Sequence, residues 1–329
     1  MTLSTDAMNG ERGMRFGLSP TQLRRNGSVI FVYVLILVLF FVATSISPSF
    51  SQSANIADIL RQSIVVGLVT IGQVYVLIGG GIDISVGMTA RVVGLSVAVT
   101  MGATTIPPFL VIALGIVLGA VIGFVNGLLV TRVGAAPFIV TLGMMGVLSG
   151  VALAITDGPT DVVPDFFFTV YDATLGPIPI AVIAMLIVWA ASWFVLNRTS
   201  YGRNVYAVGG SPNVARLAAI RVDKTVLLTY VVAGVCAAMA GIFLLSRSGV
   251  GDPNLGRGLE FSSIVAAAIG GISLYGGRGS IVGAFGAVLL ITMIGNIFDH
   301  LRVSGQFQQL ILGLIVLVSV SVYRTRARQ

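Results

Sequence analysis

The chain has 329 residues, 56% hydrophobic and only 9% charged, with a formal net charge of +7. Its mean hydropathy of +1.01 excludes a water-soluble surface. A chain of this length holds roughly ten membrane spans of about twenty residues each, leaving no room for a second globular domain.

The apolar runs are continuous rather than alternating, so helices and not a barrel satisfy the backbone in lipid. The expected fold is an all-α polytopic membrane protein of about ten transmembrane helices (eight to ten), both termini cytoplasmic. Residues 1–28 carry Arg12, Arg15, Arg24 and Arg25 and read as a cytoplasmic tail. The run 29–46 exceeds a signal-peptide core and no A-x-A site follows it, which makes it an uncleaved first span. The second, 59–79, ends at Gly79, Gly80 and Gly81. The third is 84–101 and the fourth 109–130, with Pro107 and Pro108 between them. The fifth, 138–155, precedes an outer loop reaching to Pro177 and Pro179. The sixth, 180–196, leads into a long basic inner loop, 197–225, and the seventh is 226–245. The eighth, 261–275, is too short to cross about 30 Å of hydrocarbon without its polar flank, or else turns back with the ninth as a re-entrant hairpin. The ninth is 280–298 and the tenth 307–323, so the transmembrane body covers 29–323 and 324–329 is a basic cytoplasmic tail.

Charge bookkeeping orients this layout. The predicted inner segments hold 14 of the 19 basic residues, from Arg12 through Arg132, Arg198, Arg203, Arg216, Arg221, Lys224 and Arg278 to Arg328. The outer segments hold Arg61, Arg247, Arg257 and Arg302, and the outer loop carries Asp157, Asp161, Asp165 and Asp172. Basic residues flanking apolar runs follow the positive-inside rule and leave no nucleic-acid surface. Cys236 lies inside a span and reads as a buried, inert thiol. His300 is the only histidine and Lys224 the only lysine, with no P-loop around it. A histidine-based metal or acid–base cluster, and ATP hydrolysis through a P-loop of this chain's own, are excluded.

Few residues remain to carry function. Asp83, in Gly79-Gly80-Gly81-Ile82-Asp83-Ile84-Ser85-Val86-Gly87, is expected either to cap the third helix with Ser85 or to take part in a gate, and the two roles are compatible. Arg91, two turns into the third span, would contact a solute hydroxyl, snorkel or pair with a carboxylate. Gln73, Tyr75, Asn126, Thr141, Asn296, Gln306, Gln308 and Gln309 suit either interhelical hydrogen bonds or a hydroxyl-rich solute. Trp189 and Trp193 read as interface anchors. In the inner loop, Ser211 is an N-cap and Pro212 a first helical residue, opening a short helix with Arg216 suited to docking on a partner or lying on anionic lipid. Gly80-Gly81 with Val86-Gly87 recurs as Gly276-Gly277 with Val282-Gly283 at the same spacing, a possible internal repeat.

From about residue 50 to 323 the chain resembles the permease subunits of bacterial ABC importers for monosaccharides, of the ribose/xylose/galactoside type. Gly80 to Gly87 is similar to that family's G-G-I-D-L-S-V-G. Asn126-Gly127-Leu128 and Pro137 to Gly143 are similar to its N-G-L and P-x-F-I-x-T-L-G stretches. Gly202-Arg203 with Tyr206 to Ser211 resembles its cytoplasmic coupling loop, and Glu260 to Gly271 with Gly276-Gly277-Arg278-Gly279 its E-L-D-A…G-G…G-G-x-G pattern. Arg91 stands where the family carries a small or apolar residue, and Ser262 replaces its aspartate.

The resemblance implies an inner-membrane transport subunit that is not itself an enzyme. It would pair with a second permease chain, cytoplasmic ATPase subunits holding ATP and Mg, and a periplasmic sugar-binding protein. Gly202, Arg203, Tyr206, Gly209, Gly210, Ser211, Pro212 and Arg216 would couple to the ATPase. Pathway candidates are Asp83, Ser85, Arg91, Gln73, Asn126, Thr141, Glu260 and Asn296. Alternatives are a branched-chain amino acid or nucleoside permease, or an ion-coupled secondary transporter.

Overall fold

The computed structural model describes residues 20–303 except 161 and 177, together with 307, 308, 310, 311, 313 and 314. Among these residues, eight helices are long and apolar enough to cross a membrane. They are α1 (Pro20–Ile46), α2 (Ser53–Ile78), α3 (Val86–Ala103), α4 (Pro108–Leu128, prolonged by a wide turn to Val133), α5 (Pro137–Ile155), α7 (Ile180–Arg198), α10 (Val222–Ser248) and α12 (Ile281–His300). Between them lie the shorter α6 (Asp165–Asp172), α8 (Ser200–Gly210), α9 (Pro212–Leu217) and α11 (Leu259–Ile269), and a two-residue hairpin of β1 (Thr174–Leu175) and β2 (Ile178–Pro179).

Local chemistry sets many of these boundaries. Proline opens α4, α5 and α9, where its missing N–H costs nothing. Thr199 and Ser211 cap α8 and α9 by accepting from the Gly202 and Val214 amides. Gly249, in the left-handed region at φ 73°, ends α10.

The helices α2 and α10 form the centre. Every residue of α2 from Ser63 to Ile78 except Val66 is buried, packed on Tyr230, Ala233 and Ala237 of α10, Met185 and Trp189 of α7, and Ala284 and Val288 of α12. On the other side of α10, Gly119, Gly123 and Gly127 form one stripe of α4 and let the two backbones touch from Gly234 to Leu227, while Gly115 admits Val93 and Val97 of α3. The outward faces of α1, α4 and α5 expose Phe31, Phe41, Phe109, Val121, Ile139 and Val147, as hydrocarbon requires.

One open alternative is decided and two expectations are revised. The eighth run is not a full span: α11 has eleven residues, about 16 Å at 1.5 Å per residue, roughly half the hydrocarbon thickness. It stops because Gly270 and Gly271 cap it, although apolar residues continue beyond. The inner loop holds two helices, not one. Trp189 is no interface anchor; it is 5% exposed and packs edge-on against Phe285, whereas Trp193 is exposed beside Arg198. The predicted tenth span lies largely outside the described residues.

Candidate functional site

Two helices begin inside the bundle rather than at its ends. Along α10, Thr229 lies beside Gly79 at the end of α2, and Gly241 lies against Ala90 of α3. Those two α10 positions are about 18 Å apart. Val86, the first residue of α3, precedes Ala90 by one turn, so α3 starts roughly 12 Å above the end of α2. The non-helical residues 81–85, which turn into the helix at Ser85, cover that rise. Non-helical backbone at this depth is tolerated only where protein satisfies it. The short α11 starts at a similar depth: the Glu260 carboxylate lies against Gly87, so the N-terminal ends of α3 and α11 meet there. Glu260 also accepts from the Gly258 amide, capping its own helix.

This non-helical segment is held by its own side chains and by side chains of α4 and α5. Asp83 Oδ1 accepts from the Ser85 amide at 2.8 Å and from Ser85 Oγ at 2.6 Å. Asn126 of α4 donates to Ser85 Oγ at 2.8 Å. Thr141 Oγ1 of α5 lies 3.2 Å from the Ile82 carbonyl oxygen and 3.1 Å from that of Pro137. All four side chains are buried, Asp83 at 2% exposure. Asp83 therefore satisfies the first amide of the helix start, while Ser85 occupies the cap position without a side-chain cap bond of its own. Tyr230 of α10, absent from the candidates that the sequence offers, places its buried hydroxyl against Gly81. Its polar tip in an otherwise apolar span was the available signal.

The other candidates stand apart from this network. Arg91, 9% exposed, donates Nε to the Leu255 carbonyl at 2.7 Å. It thereby ties α3 to the loop that dips toward α11. Among the described residues the ion pairs are Arg61–Asp58 and Arg216–Asp223, so Arg91 has no carboxylate within ion-pair distance. Asn296 donates to Asn55 Oδ1, and Asn55 in turn to the Phe50 carbonyl, joining α12 to α2 at the far end of the bundle. Gln73 is fully buried in α2, and both ends of its amide lack a partner among the described residues.

At the end that carries α8 and α9, three chain segments meet within contact distance. The Gly277 amide donates to the Ile78 carbonyl at 2.9 Å, joining the turn before α12 to the end of α2. Gly209 of α8 sits on both, where any side-chain carbon would overlap the Ile78 carbonyl oxygen. Gly277 in turn lies against Gly210. Tyr206 Oη donates to the Gly279 carbonyl at 3.1 Å, and burial pushes its phenol pKa up, so it remains a protonated donor. Gly202 is buried against the last turn of α7 and lets α8 fold back on it. Arg203, Gly210, Pro212 and Arg216 are exposed, while Ser211 serves as the hinge between the two helices. Beyond the hinge, Val214 is 63% and Leu217 89% exposed, two bare apolar side chains on a six-residue helix.

The repeat suspected from glycine spacing has a structural counterpart with a shifted register. Gly79, Gly80 and Gly81 bond to the carbonyls of Tyr75, Leu77 and Val76; Gly270, Gly271 and Ile272 bond to those of Ala266, Ala268 and Ala267. Gly80 and Gly271 both have φ 87°. The matching cap is therefore at Gly270-Gly271, six residues before the Gly276-Gly277 pair that the spacing singles out. The helices downstream both follow a serine, Val86 after Ser85 and Ile281 after Ser280, but only Ser280 is extended and caps its helix, accepting from the Gly283 amide.

The family model described as "branched-chain amino acid transport system / permease component" matches residues 55–320. The chain belongs to this permease family. Among its relatives, the ribose import permease RbsC of Bacillus subtilis (strain 168) is 36% identical over 298 residues, 89% of this chain and 91% of that protein. The D-allose transport system permease protein AlsC of Escherichia coli (strain K12) is 35% identical over 297 residues, 89% and 90% of the two chains. The fructose import permease FrcC of Rhizobium meliloti is 34% identical over 338 residues, 97% and 92%. No solved structure matches this permease.

Proposed function

We propose that this permease is the membrane subunit of an ATP-driven importer for a monosaccharide or related polyol, in the bacterial inner membrane. The observation that carries the reading is its similarity, over about nine-tenths of both chains, to proteins named for ribose, allose and fructose import. That similarity favours sugars over amino acids or nucleosides. The concentration of basic residues around α8 and α9 supports a cytoplasmic position for that end, with residues 1–28 and 324–329 as cytoplasmic tails.

On this reading the chain hydrolyses nothing. ATP and Mg belong to separate ATPase subunits, which grip α9 through Val214, Leu217 and Arg216. Movement of α8 is passed on through Gly209 and Tyr206. From there it reaches the end of α2 through Ile78 and the turn before α12 through Gly277 and Gly279, so one contact addresses both helix breaks. A solute delivered by a periplasmic binding protein passes beside a second permease chain. The free N–H groups at the starts of α3 and α11, with Glu260 and Arg91, supply hydrogen-bonding groups at mid-depth for hydroxyls.

The test is uptake of labelled ribose, allose and fructose into proteoliposomes. They would hold this chain with its co-purifying ATPase and binding protein. Uptake of at least one sugar that stops when ATP is omitted is expected. Uphill accumulation by the purified chain alone would sink the proposal and favour an ion-coupled carrier.

A further inference from the structure

Between α8 and the first turns of α10 lies a cavity of about 480 Å3. Its wall includes Ser200, Tyr201 and Asn204 from α8, and Arg221, Lys224 and Leu228 from the start of α10. Arg221, the residue just before α10, and Lys224 in its first turn make the wall cationic at the mouth, and Leu228, one turn on from Lys224, makes it apolar deeper in. The neighbouring carboxylate, Asp223, is turned to Arg216 at 3.8 Å. Among the described residues neither Arg221 nor Lys224 has an ion-pair partner. Tyr201 adds a hydroxyl that is enclosed without a hydrogen-bond partner.

The depth of the cavity selects its occupant. At the end of α7, Arg198 lies over the ring of Trp193 at 5.9 Å, and Trp193 is 40% exposed. An exposed tryptophan beside a cation marks the level of lipid headgroups, and Ser200 follows two residues after Arg198. A basic pocket at that level with an apolar upper wall fits a phosphodiester and the glycerol below it. We propose that this cavity binds the headgroup of an anionic phospholipid, held by Arg221 and Lys224 with Ser200 and Asn204 as neutral donors. The lipid would brace α8, the helix that touches both breaks, against α10.

Lys224 is the only lysine in the chain, so an amine-reactive reagent reads this site alone apart from the N-terminus. The full chain is placed in phosphatidylcholine nanodiscs with or without phosphatidylglycerol, and labelling is followed by peptide mass. Phosphatidylglycerol is expected to slow labelling of Lys224 about fivefold or more. Arg221→Gln is expected to remove that protection and Arg221→Lys to restore it, with unchanged thermal unfolding in both. A reference amine introduced by Arg132→Lys, exposed at the same end of the bundle, reports the general surface charge and is expected to be slowed less than Lys224.

Four results would overturn the proposal. They are equal slowing at both lysines, undiminished protection in Arg221→Gln, the same protection from inorganic phosphate in phosphatidylcholine discs, and protection that appears only when ATPase subunits are added. The third would indicate a site for free anions, the fourth a protein interface.

Discussion

After Gly80 the chain climbs back into the bundle as the non-helical residues 81–85. After Gly271 it instead makes a turn of nine residues at the end of the bundle and restarts as α12. The two helix ends are capped alike, so the cap does not decide the path taken beyond it. What differs is the support. The first segment is pinned by buried side chains of α4 and α5 through Asn126 and Thr141. The second is held mostly by backbone bonds, Ser273 to Arg278 and Gly277 to Ile78, with one side-chain bond from the half-buried Tyr206 to the Gly279 carbonyl, and leaves Tyr275 76% exposed. A buried side-chain network is needed where non-helical backbone runs at membrane depth, and less side-chain support suffices where the turn is exposed.

The comparison breaks most severely at the contact the two segments share. Gly209→Val drives carbons into the Ile78 carbonyl and separates α8 from both. Overpacking costs typically about 1–3 kcal/mol of stability. ATP-driven uptake is expected to fall by about tenfold or more, because this contact is the link. Uptake at wild-type rate with normal assembly would show that force travels elsewhere. Next in size, Asp83→Ala leaves the Ser85 amide without its acceptor and should destabilise by about 1–3 kcal/mol, read by thermal unfolding in detergent. Asp83→Asn keeps an oxygen in place and should lose less.

Alanine at Gly80 or Gly271 sharpens the likeness. Both sit at φ 87°, so each should lose roughly 1–2 kcal/mol from left-handed strain. The new methyl has room at Gly80, with its nearest neighbour 3.6 Å away, and crowds Ser28 Oγ at 2.5 Å at Gly271. The Gly271 variant should therefore be equally or slightly less stable. A large loss at Gly80 alone would mean the two caps are not equivalent. The smallest effect is expected at Gln73→Leu, which removes an amide lacking partners. Unfolding should be unchanged or shifted upward. A strong loss of stability would reveal a polar partner for Gln73.

Much of this architecture is legible from residue order. Hydropathy and helix length are local, and the expected spans agree with α1 to α5, α7, α10 and α12 apart from their ends. The eighth run reads too long because apolar composition does not stop a helix, whereas Gly270 followed by the left-handed Gly271 does. The helix α8 is hidden because Gly202, Gly209 and Gly210 each weaken a helix by about 1 kcal/mol. Two of those glycines, Gly202 and Gly209, are retained for close approach to Leu196 and Ile78.

The sequence by itself determined a helical membrane protein, its family, and the short roll of polar residues able to act within it, since each follows from local composition and motif. Only the tertiary structure decided which of those residues work together. Ser85 and Asn126 stand 41 positions apart, and Ile82 and Thr141 stand 59 apart. Such pairs meet because helices pack. Periodicity shows which face of a helix is apolar and leaves open which neighbour will cover it.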